Sequence, residues 1–247
     1  RQVEALWRVL FSHGFSITFA HTSFTWANLA SHNAGVTVSI VAISKNASSN
    51  AVLYSRENGS IQVREVSNIN GYLVAAPNVE ISPSRASLFG MPEMLFGNMP
   101  NDGGALLLDS SSAKKAEEEG TPRKFIRPFI GSQEFINGVQ KHCIWVTADE
   151  YPHAALFPFL NDRFLSVEKH RNHSNRAATK KLAKVPYAFG EVRQRGDEAV
   201  LIVPRITSER REYLPVGIAP PGSIISSQNF AIYAPPRFVV ALLLSKL

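Results

Sequence analysis

Residues 124–146, KFIRPFIGSQEFINGVQKHCIWV, constrain the chain more than any other stretch. Phe125, Arg127 and Phe129 open it with an aromatic, basic run, and a Gly131-Ser132 step follows. Phe135 and Ile136 lead into Asn137-Gly138, and Ile144, Trp145 and Val146 close the stretch as a buried strand. Asn-Gly between two apolar runs predicts a tight hairpin, because both residues tolerate the positive φ that a type I′ turn requires. Taken alone, this is the core hairpin of an α+β domain.

The rest of the chain sets the frame. Its 247 residues suffice for one large domain or two small ones. A formal net charge of +6 and a pI near 9.5 favour a polyanionic partner without requiring one. The single cysteine, Cys143, lies in an apolar run, so a disulfide framework and a Cys-rich zinc site are both excluded. It reads as a small buried apolar side chain. His21 and His32 have no third ligand at metal spacing, and no metal is predicted. The apolar runs are too short or too interrupted to span a bilayer, and no signal-peptide pattern opens the chain. That predicts a cytoplasmic location. The start at Arg1 and the end at Leu247 inside an apolar run read as a piece of a longer chain.

In order, residues 2–13 predict an amphipathic helix, with Val3, Leu6, Trp7, Leu10 and Phe11 on one face and Gly14 ending it. Residues 17–20 and 36–43 predict strands, the second a buried one. Helix, strand, loop, strand is the pattern of the last part of a doubly wound α/β domain. Residues 44–60 are polar and read as a linker with a brief strand at 52–54. Domain boundaries are expected near residues 70 and 216, giving pieces 1–70, 71–216 and 217–247. In the loop 96–104, Asn98, Asn101, Asp102, Gly103 and Gly104 are suited to present backbone N–H groups to a phosphate. Residues 154–183 predict one helix or two, with Leu156, Leu160, Phe164 and Val167 at helical spacing and Pro158 in the first turn. Their other face carries Arg163, Lys169, Arg171, Arg176, Lys180, Lys181 and, just beyond, Lys184. This is the densest basic segment, suited to phosphate contact through counterion release. A buried strand at 199–203 ends at Pro204 and leads into Arg205, Ser208, Glu209, Arg210, Arg211 and Glu212. Arginine's planar fork suits guanine O6/N7 or phosphate, and a carboxylate accepts from cytosine N4.

Four segments, in this order, carry a resemblance: FAHTSFTW with NAGVTVSIV (19–41), FGNMPNDGG (96–104), the stretch 124–146, and VPRITSERREYLPVG (203–217). Together they resemble the MmeI-like (type IIG/IIL) restriction–modification enzymes, bacterial single-chain DNA adenine-N6 methyltransferases. The resemblance implies the C-terminal end of a doubly wound methyltransferase sheet, then a mixed α+β target-recognition domain, then the start of a helical region. It implies duplex DNA as partner, S-adenosylmethionine as the parent enzyme's cofactor and no membrane. A monomer is expected. In the family, the segment matching 21–33 lies beside the active-site cleft, which makes Phe24, Trp26 and Asn28 base-pocket candidates. Arg205, Ser208, Glu209, Arg210 and Arg211, with the loop 186–193, become base-reading candidates. Arg171, Arg176, Lys180 and Lys181 become phosphate contacts, and Asn98 a further DNA contact.

The family's catalytic machinery is not in this sequence. A glycine-rich cofactor turn after a first strand is missing. So is a [DN]-P-P-[YF] loop for the flipped base; Pro235-Pro236 follows Ala234 and precedes Arg237. The expectation is a recognition piece that is inactive alone, from a parent that is an enzyme. A non-enzymatic nucleic-acid-binding module sharing the fold is the alternative, and an RNA-directed methyltransferase a third reading.

Overall fold

The computed structural model describes residues 3–26, 36–45, 50–57, 59–82, 84, 90–208, 211 and 213–245. By contacts the chain divides into two units, Arg1–Arg85 and Ala86–Leu247.

In the first unit, a π-wound turn at Val3–Trp7 runs into α1 (Arg8–Ser12). β1 (Ser16–Trp26) and β2 (Val36–Ser44) pair antiparallel, and β3 (Ala51–Glu57) lies parallel to β1. β4 (Ser60–Val66) returns from β3 as a hairpin, giving the order β2-β1-β3-β4. The mixed sheet agrees with the α/β expectation, but 44–60 is not a linker, because most of it is β3 and its turn. Gly59, at φ 83°, supplies the positive φ that this tight turn needs.

Ile17 and Ala20 both face the core, although residues three apart on a strand normally point to opposite faces. A register shift between Ile17 and Phe19 inserts one extra residue and restores the alignment. Trp7, stacked on Phe11 at 5.6 Å, closes the core with Leu53 and Ile69. A Cβ on Gly71 would meet the Trp7 ring at 2.9 Å, so only glycine lets the chain pass there. β2 was expected to be buried. Instead Val36, Ile40 and Ile43 are exposed, because β2 is an edge strand that no described element covers.

The second unit holds two sheets. β5 (Leu95–Phe96), β9 (Val200–Pro204), β10 (Gly217–Ala219) and β12 (Asn229–Tyr233) assemble in the order β10-β9-β12-β5. β6 (Leu107–Asp109), β7 (Ile126–Ile130), β8 (Lys141–Ile144) and β11 (Ile224–Ile225) assemble in the order β11-β7-β8-β6. The expected piece 217–247 therefore contributes three strands to these sheets, and only α7 (Arg237–Leu244) is helical there.

Within 124–146 the two strands pair antiparallel as expected, but Asn-Gly is not a hairpin turn. Ser132–Asn137 form a helix, α3, and Gly138 ends it in the left-handed region at φ 68°. The positive φ read from Asn-Gly is real; it serves a helix C-terminus, which makes the same demand on glycine as a hairpin does.

α2 (Ser110–Glu118) packs on the core through Ala113 and Ala116. α4 (Tyr151–Ala154) precedes α5 (Pro158–Asn172), which starts with Pro158 and buries Leu160, Phe164 and Val167. Leu156 falls outside α5 and is exposed, so the apolar face begins one turn later than the spacing suggests. α6 (Ala177–Lys181) and a 3-10 turn at Leu182–Lys184 complete the helical layer. Cys143 is fully buried, and burial pushes its thiol far up, so it is an inert core group.

Candidate nucleic-acid interface

β9 is buried along its whole length and delivers Arg205 at its exposed end. The backbone N–H of Arg205 donates to the Gln228 carbonyl at 3.2 Å, and its guanidinium donates to the Ser227 carbonyl at 3.1 Å. The guanidinium carbon also lies 4.9 Å from the centre of the Phe96 ring, which packs on Phe230. Cation–π contact and a carbonyl acceptor thus fix a side chain that is otherwise among the most mobile.

Opposite Arg205 stands α3. The Ser132 hydroxyl is within 2.8 Å of both the Gln228 carbonyl and Asn229 Oδ1, tying α3 to the turn 226–228. Asn229 completes the tie by donating to the Ile130 carbonyl at 3.0 Å. Between α3, Arg205-Ile206 and the turn 226–228 opens a cleft of about 790 Å³, with Pro100 and Lys141 also on its wall. Lys141 pairs with Glu134 at 3.6 Å, which leaves Arg205 as the unpaired charge of the cleft wall among the described residues.

A basic surface lies on the other flank of the loop that carries Pro100. Lys169, Arg176, Lys180, Lys181 and Lys184 are exposed on or beside α5 and α6, and among the described residues none makes an ion pair. The two flanks are joined through that loop. Pro100 faces the cleft, and the Asn101 amide reaches Thr179 of α6 at 3.4 Å.

Two expected DNA contacts are corrected by burial. Arg171 is fully buried. Its five N–H groups donate to the carbonyls of Pro100, Asn101, Leu182, Val185 and Ala188 at 2.7–3.0 Å. That exhausts the donor capacity of a guanidinium, so Arg171 clamps loops and leaves nothing for a phosphate. Asn98 is also fully buried. Its carbonyl oxygen accepts from the backbone of Arg193 and Gln194, and its amide donates to the Ile225 carbonyl and to Gln194.

In the loop 96–104, Asn98 and Gly104 do not hold out free N–H groups as expected. Gly97, Asn98 and Met99 donate to backbone carbonyls, and the Asp102 carboxylate accepts from Gly104 and Leu106. In the loop 186–193, Phe189 is core and Tyr187 stacks on Tyr151 at 4.4 Å. Arg193 pairs with Glu191 and donates to the Gly97 carbonyl at 3.1 Å. That loop is chiefly scaffold.

Of the remaining candidates, Arg176, Lys180, Lys181, Ser208 and Arg211 are exposed, and the Ser208 carbonyl accepts from Arg211 N–H at 3.1 Å. Glu209, Arg210, Glu212 and Asn28 lie outside the described residues. Phe24 and Trp26 end β1 with ring centres 6.3 Å apart, and Trp26 is 48% exposed, so neither belongs to the buried core. His21 lies edge-on to Phe24 at 4.8 Å, extending the aromatic group. Sequence reasoning missed α3 and the turn 226–228 as walls of the cleft. Only the pairing of β7 with β11 brings them together, and no local spacing signals it.

Residues 75–247 match the MmeI target recognition domain, and residues 1–55 match the MmeI DNA-methyltransferase domain. DNA methyltransferase A of Bacillus subtilis (strain 168) is 34% identical over 250 residues, covering all of this chain and 28% of that protein. The solved structure of the type IIL restriction-modification enzyme MmeI in complex with DNA matches with a TM-score of 0.86 at 29% identity, over all of this chain and 33% of that one. This chain thus spans about a third or less of the length of these relatives. It belongs to the MmeI family, with the family's target recognition domain following the end of its DNA-methyltransferase domain.

Proposed function

We propose that this chain is the sequence-reading part of an S-adenosylmethionine-dependent DNA adenine-N6 methyltransferase of a bacterial restriction–modification system, acting on duplex DNA as a cytoplasmic monomer. The recognition domain begins between residues 70 and 86. The observation that carries the reading is Arg205: a guanidinium fixed by Ser227 and Phe96 at the end of a buried strand, beside a cleft. Pre-organised arginine at a rigid strand end is what direct readout of guanine needs. Arg176, Lys180 and Lys181 grip phosphates on the adjoining flank, and Ser208 and Arg211 extend the reading edge. Phe24 and Trp26 stack on the extruded base, since a half-buried and an exposed aromatic ring at a strand end suit a flat ring.

The methyl donor binds outside this chain. The turn at Gly59 in the first unit does not fit it: Gly59 joins β3 to an antiparallel strand, whereas a cofactor cradle needs a glycine-rich turn from strand to helix. Methyl transfer by this chain alone is not expected.

The test is selection from a random pool of duplex DNA by the full natural protein carrying this sequence, at two salt concentrations. Enrichment of a short asymmetric site containing an adenine that becomes methylated supports the reading. Salt-sensitive binding with no enrichment leaves only phosphate gripping, and selective binding of RNA overturns it.

A further inference from the structure

The cleft beside Arg205 carries chemistry that no resemblance assigned. Gln133 and Asn137 on α3 and Gln228 on the facing turn are exposed, and all three line the cleft. None of their side-chain amides has a hydrogen-bond partner among the described residues. Two neighbouring polar side chains are already engaged. The Ser132 hydroxyl is engaged by Gln228 and Asn229, and Lys141 is engaged by Glu134. Among the described residues, the unmet hydrogen-bonding capacity of the cleft includes three amides, the Ser227 hydroxyl and the rest of one guanidinium.

We propose that Gln133, Asn137 and Gln228 form a second base-reading element, taking adenine edges in the groove that Arg205 enters. The proposal rests on the reading of this unit as a duplex DNA recognition domain. An amide presents one donor face and one acceptor face, the complement of adenine N7 and N6 in the major groove. Phosphate is the poorer partner for this wall. A phosphate only accepts, so it would use the donor half of each amide and leave the acceptor half unmet, and the one lysine here is engaged by Glu134. The frame is also stiff enough to specify. α3 is pinned to the turn 226–228 by Ser132, and the turn is pinned to Arg205 through the Ser227 and Gln228 carbonyls. The backbone positions that carry the three amides are therefore held relative to that of the arginine, as the frame for reading neighbouring base pairs must be.

The test uses the full natural protein and the site selected from random duplex DNA. Gln133→Ala, Asn137→Ala and Gln228→Ala are surface changes that leave the core untouched. At least one is expected to weaken cognate binding by about 5- to 100-fold, with the base preference lost at one A·T position and kept elsewhere. The matching Gln→Glu change keeps size and acceptor but removes the donor, so it shifts preference at that position from adenine toward cytosine. A merely structural role would not move preference in that way. Loss that is equal on every sequence, or no change in any of the three variants, overturns the proposal while the wild-type site stands. If the wild type itself selects no site, the recognition reading falls, and this inference falls with it.

Discussion

The guanidinium carbon of Arg205 sits 4.9 Å from the centre of the Phe96 ring, across two strands separated by β12 in one sheet. Phe96 is held in turn by Phe230 at 4.9 Å, and the Ser227 carbonyl takes one N–H of the arginine at 3.1 Å. Arg205 lines the cleft, and its contacts with Phe96 and Ser227 restrict its rotamer. Arg205→Lys keeps the charge and loses the planar fork, so cognate binding is expected to fall by about 1–3 kcal/mol while non-specific binding holds. Phe96→Leu should act in the same direction by about 0.5–1 kcal/mol, the contribution of an exposed cation–π contact. Because both changes act through one side chain, the double variant should lose less than the two losses added. Competition binding with cognate and single-mismatch duplexes measures this. A loss that is the same for every duplex would remove Arg205 from base reading.

Arg171 makes a prediction of the opposite kind. Its five hydrogen bonds join the loop at Pro100-Asn101 to the segment 182–188. Replacement by Met leaves five part-buried carbonyls without their charged donor, and a cost of about 3 kcal/mol or more is expected, since an unsatisfied acceptor costs about 1–3 kcal/mol where it is fully buried and less where it is not. Arg171→Lys should recover little, since an ammonium has three donors and no fork. Thermal unfolding measures the loss. Hydrogen exchange should show it first at residues 182–190. If Arg171→Met keeps wild-type stability and loses only DNA affinity, the residue is a phosphate contact after all.

Asp109 gives the pH prediction. Its carboxylate caps α2, accepting from Ser112 N–H at 2.7 Å and the Ser111 hydroxyl at 2.8 Å. The bonds from Ser112, then Ser111, hold its pKa down from 3.8 to about 2. A pKa lower in the folded state means that the charged form is the stabilising one. Support for α2 is therefore complete above pH about 4 and disappears as the pH falls through about 2. Asp109→Asn keeps a capping oxygen that does not titrate, so its α2 protection should be flat over this range. An NMR titration placing the Asp109 carboxyl at its ordinary value would refute the account.

How far the sequence could be read depended on whether the signal was local. Leu160, Phe164 and Val167 recur at helical spacing, and α5 buries all three. Residues 199–203 read as a buried strand, and the strand is Val200–Pro204, one residue further on. The Asn137-Gly138 pair announced a positive φ correctly, but a hairpin turn and a helix C-terminus use it alike, and only α3 decides between them. Arg171 and Lys180 looked equivalent in one basic run. What separates them is the chain brought over Arg171 from residues 100 and 188, which no window around position 171 contains. The cleft is the extreme case, since Gln133, Arg205 and Gln228 meet only after β9, β11 and β12 find their partners.

Lys180 and Lys181 test the phosphate surface. Both are exposed at the C-terminal end of α6, and neither has an ion-pair partner among the described residues. An unpaired lysine that neutralises one phosphate releases about one condensed counterion, so each Lys→Ala change should lower the slope of log affinity against log salt by about 0.9. Affinity should drop by the same factor for cognate and random duplexes, because a phosphate carries no sequence information. Thr179 points inward to Asn101, so the anchoring of α6 does not depend on either lysine and folding should be unaffected. Equilibrium binding across a salt series reads both quantities at once. An unchanged salt slope in the double variant would show that the duplex does not pass over α6. Altered base preference would move these lysines into the reading edge with Arg205.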